Sequence, residues 1–237
     1  KGFDKAYFLA WTTTPWTLPG NVALAVGEDI DYVEARVGDE IYVLAKERLP
    51  VITEPYEIVA EHTGKEMVGM QYEPLYEIPA AKASGKKGWY VTQADFVTTE
   101  DGTGIVHIAP MHGEDDYNVG VKYDLPIIPL LDASGHFNKE VPEFIQGFYL
   151  KKGEKYIKED LEKRGLIFAK QAHTHSYPHC HRCETPLYYS ALSSWFINIQ
   201  KVKNRLIQLN EKVNWQPEHL KHGRFLNIVK DAPDWNI

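Results

Sequence analysis

The chain has 237 residues, 43% hydrophobic and 25% charged, which excludes a disordered polymer and suffices for one large domain or a core with an appendage. No apolar run approaches the roughly 20 residues needed to cross a bilayer, so a membrane protein is not expected. A net charge of −7 argues against gripping long stretches of nucleic acid, an affinity built on neutralised phosphates, but a short single-stranded end could still be held by stacking and a few hydrogen bonds.

The opening, KGFDKAYFLAWTTTPW, has no small-residue cleavage site and no initiating Met, which reads as a fragment excised from a longer chain. Residues 6–45 read as β. Dense apolar and β-branched runs cover 7–13 and 22–26, and 32–37 and 41–45 flank the tight turn at Gly38-Asp39. Further strands are predicted at 56–60, 89–93 and 104–109, with Gly and Pro punctuating the intervals. The basic loop KASGKK at 82–87 reads as an exposed turn. Many short strands with few helices predict a mainly β fold with peripheral helices (α+β), closed or nearly closed into a barrel.

After Gly147 the pattern changes. Residues 150–164 are mostly charged, with Tyr156, Ile157 and Leu161 at helical spacing, so a surface helix is predicted to end near Gly165. A second helix is predicted over 194–213, where Trp195, Ile199, Val202, Leu206 and Leu209 form a stripe able to pack on a partner. The tail 214–237, broken by prolines and tryptophans, reads as extended. The boundary is placed near residue 170, between a β-rich core (1–170) and a connecting stem (171–237). Cys180 and Cys183 are the only cysteines, so a disulfide framework is not expected and a reducing cytoplasm is.

Two stretches carry groups suited to chemistry. In WTTTPWTLPGN, at 11–21, Thr12, Thr13 and Thr14 end an apolar strand, Pro15 stops the ladder and Pro19-Gly20 turns the chain. With Thr17 and Asn21 they offer donors and acceptors for a water and an ester oxygen; equally, threonine is a good strand former. In GTGIVHIAPMHGEDDY, at 102–117, the glycines allow close backbone approach, a strand ends on His107, and Glu114, Asp115 and Asp116 follow a turn. A carboxylate there could bind an ammonium group, or the acids could simply begin a helix at its positive end.

Together with SYPHCHRCETPLYY at 176–189, these stretches resemble, in order, spacing and wording, the editing insertion of isoleucyl-tRNA synthetases over nearly the whole chain. Valyl and leucyl types typically carry a basic residue in the threonine segment, where this chain reads TTTP, and their second segment differs from IVHIAP. The resemblance implies the β-barrel editing domain of a class I aminoacyl-tRNA synthetase. Its expected reaction is hydrolysis of valyl-tRNA mischarged on isoleucine tRNA, with valyl-adenylate as a further substrate. Neither HIGH nor KMSKS occurs in the sequence, so ligase activity is not expected from this chain.

Residue by residue, Asp116 matches the acid that anchors the substrate ammonium, and His107 matches a wall of the side-chain pocket that excludes isoleucine. Thr12, Thr13 and Thr14 match the segment that contacts substrate and positions water, with Thr13 and Asn21 tied to editing; His107 as general base is the rival mechanism. Trp16 and Tyr177 are candidates for the terminal adenosine, and Gly104 for close backbone contact with substrate. Editing should need no cofactor. The resemblance makes Cys180 and Cys183 half of a four-cysteine zinc site completed upstream of Lys1, with His173, His175 and His179 as nearby alternatives. Partners implied are the 3′ end of isoleucine tRNA and the rest of the parent synthetase, with no membrane and a monomeric state. Two other classes are a noncatalytic zinc-stapled module binding a tRNA end or a protein, and a free-standing deacylase or esterase.

Overall fold

The computed structural model describes residues 6–174 and 176–237, so the suggestion that His175 completes a metal site falls outside them. The chain divides into two compact units, 1–191 and 192–237.

The first unit carries two sheets. Strands β1 (Ala6–Phe8), β3 (Asp31–Val37), β4 (Glu40–Ala45) and β5 (Glu57–Thr63) form one in the order β1-β4-β3-β5. The other, in the order β6-β2-β7, contains β2 (Ala23–Val26), β6 (Tyr90–Gln93) and β7 (Val106–Ile108). The β3–β4 hairpin turns at Gly38 with φ +59°, a conformation glycine adopts without steric cost. All seven predicted strand positions are occupied; their ends agree to within three residues except in β1, which stops at Phe8, five residues short of the predicted Thr13.

One continuous closed ladder is not found among the described residues; hydrogen bonds at two seams join the sheets instead. On one side Ala45 N–H donates to Thr103 O (2.8 Å) and Trp11 N–H to Ile105 O (3.4 Å), and Trp11 bridges Val106 in parallel register. On the other, residues 69–72, just beyond β5, pair with β6 through Val91 N–H to Met70 O (2.8 Å) and Gly69 N–H to Val91 O (2.8 Å). The first seam stops at Trp11 for a local reason. Thr12 Oγ1 captures the backbone N–H of Thr14 (3.0 Å), and Pro15 has no N–H to offer.

Between the sheets lies an apolar layer of Leu24, Val26, Tyr32, Met67 and Ile105. The short helices α1 (Gly64–Met67) and α2 (Pro79–Ala83) fill the crossovers, and Lys82 to Lys87 are exposed as read from sequence. Helix α3 (Glu114–Lys122) follows the acidic turn. Helix α4 (Leu150–Lys163) matches its predicted span, buries Leu150, Ile157 and Leu161 against Trp16 and Ile78, and ends at Gly165 with φ +68°.

In the second unit, β8 (Phe196–Ile197) pairs with β9 (Trp235–Asn236). Helix α5 (Ile199–Asn210) is shorter than the predicted 194–213 because Asn198 Oδ1 caps it, accepting from Lys201 N–H at 2.9 Å. The tail is not extended throughout: it contains a helical turn at Lys221–Phe225 and α6 (Leu226–Asp231). Gly223, with ψ −106°, kinks this segment and hides its apolar periodicity. No helix of the described residues is long and apolar enough to cross a membrane.

Candidate active site

Where β1 ends against β7, an open cleft of about 230 Å³ separates the threonine segment from the β7–α3 connection. Its lining brings Thr12, Thr13, Thr14 and Thr17 of the one segment together with His107, Ala109, His112 and Asp116 of the other, with Trp11 and Val106 at the seam.

The threonine wall follows from its prolines. With no N–H at Pro15 the strand ends, and Pro15–Gly20 winds into a 3-10 helix in which Thr17 N–H returns to Thr14 O (2.9 Å). The winding brings Thr14 and Thr17 together, which a strand would have sent to opposite faces. Thr12 and Thr14 hydroxyls lie 3.4 Å apart, and those of Thr14 and Thr17 lie 3.3 Å apart. Thr17 Oγ1 donates to Thr14 O (2.8 Å), an atom that can only accept, so its single proton is committed there. His107 Nε2, 3.1 Å from the same oxygen, must then be the donor, which fixes the Nε2–H tautomer. The Thr13 hydroxyl is exposed in the cleft and makes no hydrogen bond among the described residues.

Asp116 stands in the first turn of α3, where the acids sit at the positive end of the helix dipole. Its Oδ1 accepts from Ala109 N–H at 2.8 Å, tying α3 to the end of β7. Burial raises its carboxyl above the ordinary range, opposed by the bonds from Ala109 N–H and its own backbone N–H. Gly113 leaves space for the other oxygen, since a Cβ there would lie 2.3 Å from Asp116 Oδ2. The acidic run does begin a helix: Glu114 and Asp115 are exposed at its start, while Asp116 lines the cleft.

His107, only 7% exposed, has its pKa lowered to about 4, chiefly by burial and secondly by repulsion from His112. Its Nδ1 is buried without a hydrogen-bond partner. A depressed folded-state pKa means that between about 4 and 6.5 the unfolded chain binds the extra proton. Stability is thus complete above pH 6.5 and falls as pH drops towards 4. At roughly 1.4 kcal/mol per pKa unit, His107 should account for a loss of about 2 kcal/mol between pH 6.5 and 5. Urea unfolding of the wild type and His107→Gln at both pH values checks this; equal pH dependence in the two proteins would contradict it.

Of the residues expected at the site, Thr12, Thr13, Thr14, His107 and Asp116 come together around the cleft. The others do not line it. Asn21 is 4% exposed; its Nδ2 donates to Ala23 O (2.9 Å) and its Oδ1 accepts from Tyr72 hydroxyl (2.6 Å), so it braces the exit of the 3-10 helix. Trp16 is in the core, its ring 4.9 Å from that of His112. Gly104 presses on Ala45 at the sheet junction, where a Cβ would lie 2.4 Å from Ala45 Cβ. Tyr177 lies under the Lys151 ammonium, 4.6 Å from its ring centroid.

Cys180 and Cys183 occupy a tight turn closed by Cys180 N–H to Thr185 O (2.9 Å), with Cys183 Sγ 3.1 Å from Thr185 Oγ1. Hydrogen bonds from Thr185, then from Cys180, lower the Cys183 thiol pKa. Two thiols make half a zinc site, and no group of three or more metal-ligating side chains forms among the described residues. The donors among the described residues do not fit a complete metal centre.

Five cleft residues were given no individual role from sequence: Trp11, Thr17, Val106, Ala109 and His112. Trp11 and Thr17 could have been found by following the threonine segment in both directions. His112 carried the signal of a second histidine five residues after the first.

The family model for tRNA synthetases class I (I, L, M and V) matches residues 11–237. Isoleucine–tRNA ligase of Clostridium acetobutylicum is 45% identical over 237 residues, all of this chain and 22% of that protein. The isoleucine–tRNA ligase of Bacillus thuringiensis (strain Al Hakam) is 44% identical over 238 residues, again all of this chain and 23% of the relative. The chain thus spans about a fifth of the length of the curated relatives it matches. Among solved structures, GlLeuRS-CP1 aligns with a TM-score of 0.55 at 14% identity, covering 74% of this chain and 87% of that one. The P. knowlesi cytosolic leucyl-tRNA synthetase editing domain aligns at 0.50 and 14% identity, covering 78% and 84%. At such identities the structural matches speak for the fold alone. The chain belongs to the class I tRNA synthetases of the I, L, M and V group, in the isoleucyl branch, and its mixed sheets and helices have the fold of a synthetase editing domain.

Proposed function

We propose that this chain hydrolyses valyl-tRNA mischarged on isoleucine tRNA, and valyl-adenylate secondarily, as the editing module of an isoleucyl-tRNA synthetase. The observation that carries this reading is that a largely buried carboxylate, Asp116, and a run of threonine hydroxyls line one small cleft. The need for such a site is energetic. One methylene is worth about 1–3 kcal/mol in a binding pocket, isoleucine against valine being the standard case of that rule, so a second site must remove the smaller product.

In this reading Asp116 holds the substrate ammonium through a charge-assisted hydrogen bond. Thr13 and its neighbours orient a water, helped by the substrate's adjacent ribose hydroxyl and by backbone N–H groups. Water oxygen attacks the ester carbonyl carbon, the bond to the ribose oxygen breaks, and that oxygen leaves with a proton from the water. His107 is a wall rather than a base: one nitrogen is committed to Thr17 and the other is sealed from solvent. The 3′ end of isoleucine tRNA and the remainder of the synthetase are the partners, and Cys180 with Cys183 would give two thiolates to a zinc site completed outside this chain.

Valine release from mischarged isoleucine tRNA is the direct test. Absence of turnover with retained binding would favour a noncatalytic tRNA-end module, and indifference to tRNA identity would favour a general esterase. Replacing His107 with Ala should add isoleucyl-tRNA to the substrates, because the removed ring enlarges the pocket by more than a methylene. Unchanged discrimination in that variant sinks the size-exclusion role.

A further inference from the structure

His112 lines the same cleft but has no part in the reaction as described above. It lines the cleft together with Ala109, Asp116 and the threonines, and three contacts fix it. Its Nδ1 lies 3.3 Å from Tyr189 O, an atom that can only accept, so Nδ1 carries the proton. The Trp16 ring meets the imidazole nearly edge-on, 67° between planes and 4.9 Å between centroids. Ala191 N–H donates to Met111 O (3.1 Å), so residues 189–191 strap the backbone that bears His112.

The consequence is a defined tautomer. With Nδ1 protonated, Nε2 keeps its lone pair; it bonds to no described residue, yet it is not among the polar atoms sealed from solvent. The two cleft histidines are therefore opposites. His107 donates through Nε2 and hides its lone pair, whereas His112 donates backwards through Nδ1 and leaves its lone pair accessible. Burial lowers the His112 pKa to about 4, so the ring is neutral at physiological pH and cannot repel a substrate ammonium held by Asp116.

We propose that His112 is a further catalytic residue of the hydrolytic reaction, its Nε2 accepting a hydrogen bond from the attacking water across the cleft from the threonine hydroxyls. The role rests on the hydrolytic reading given under Proposed function. The water needs acceptors for its hydrogens so that an oxygen lone pair faces the ester carbon; the Thr12, Thr14 and Thr17 hydroxyls are engaged with one another, which leaves Thr13 and calls for a second acceptor. His112 aims the water and keeps no proton: the balance of the hydrolysis is unchanged, with free valine and the ribose hydroxyl as products.

Two measurements test this on the whole chain. Nitrogen-15 NMR of the histidine side chains should show His112 as the neutral Nδ1–H tautomer at pH 7; an Nε2–H tautomer overturns the proposal without reference to any substrate. In valine release from mischarged isoleucine tRNA, His112→Ala should lower kcat by about tenfold or more with KM within about twofold, and His112→Gln, which places an oxygen near the Nε2 position, should recover most of the rate. Unchanged kcat, or a raised KM at unchanged kcat, overturns it, as does equal impairment of both variants. A wild-type chain that releases no valine fails the hydrolytic reading itself, a result distinct from a slow His112 variant beside an active wild type.

Discussion

Asp116→Asn should reduce valine release from mischarged isoleucine tRNA by about 100-fold or more while moving the melting temperature by only a few degrees. Asparagine is the informative replacement because the Asp116 carboxylate does two separate things. Its Oδ1 accepts from Ala109 N–H at 2.8 Å, a bond that an asparagine oxygen can also make. Its charge attracts the substrate ammonium, an interaction of about 4 kcal/mol at 4 Å and an effective dielectric of 20, of which desolvation takes part. Losing roughly 2.7 kcal/mol is the expected hundredfold. Alanine would confound the two by also stranding the Ala109 N–H, beside a residue 2% exposed, at about 1–3 kcal/mol. Gly113→Ala gives the complementary view. Its Cβ would fall 2.3 Å from Asp116 Oδ2, so it should move the carboxylate without removing its charge and depress turnover too. If Asp116→Asn turns over like the wild type, ammonium anchoring by this residue is wrong.

Features written locally were legible in the sequence. The β3–β4 hairpin is read from Gly38-Asp39 between two apolar runs, and α4 from its apolar spacing and Gly165, because the hydrogen bonds that define them close within a few residues. The meeting of Thr13 with Asp116 is a different matter. About a hundred residues apart, they are brought together by the seam at Trp11 and Val106, and no periodicity encodes that pairing. Only the family resemblance set them in one pocket. Residue type also misleads where a polar side chain serves the backbone. Asn21 is spent on Ala23 O and the Tyr72 hydroxyl, and Trp16 on the core, both of which the sequence presents as plausible site groups. A closed or nearly closed barrel is expected from sequence because many short strands do tend to close. Local capture of the Thr14 N–H and the proline beside it stop the joining ladder after a single bridge.

Gly104→Ala should cost the fold about 2–5 kcal/mol, the largest stability effect expected of a single methyl group placed beside this cleft. Two costs add. Gly104 has φ +75°, where a side chain costs about 1–2 kcal/mol. The new Cβ would then stand 2.4 Å from Ala45 Cβ, and overpacking of that kind costs about 1–3 kcal/mol. The strain falls at the junction of the sheets, where Ala45 N–H bonds to Thr103 O at 2.8 Å and Gly104 O accepts from the buried Tyr32 hydroxyl at 2.7 Å. That hydroxyl in turn accepts from Gly27 N–H (3.0 Å), and burial pushes its pKa up to about 12. For a chain of this size the loss corresponds to a fall in Tm of about 5–15 °C, read by thermal unfolding. Adding Ala45→Gly to the same chain should return the overpacking share and leave the backbone share, so the double variant should melt between Gly104→Ala and the wild type. The opposite pattern, loss of valine release at an unchanged Tm, would assign Gly104 to close contact with substrate. The distance to Ala45 and the positive φ argue that its missing side chain serves the joining of the two sheets, on which the spacing of Thr13 and Asp116 across the cleft depends.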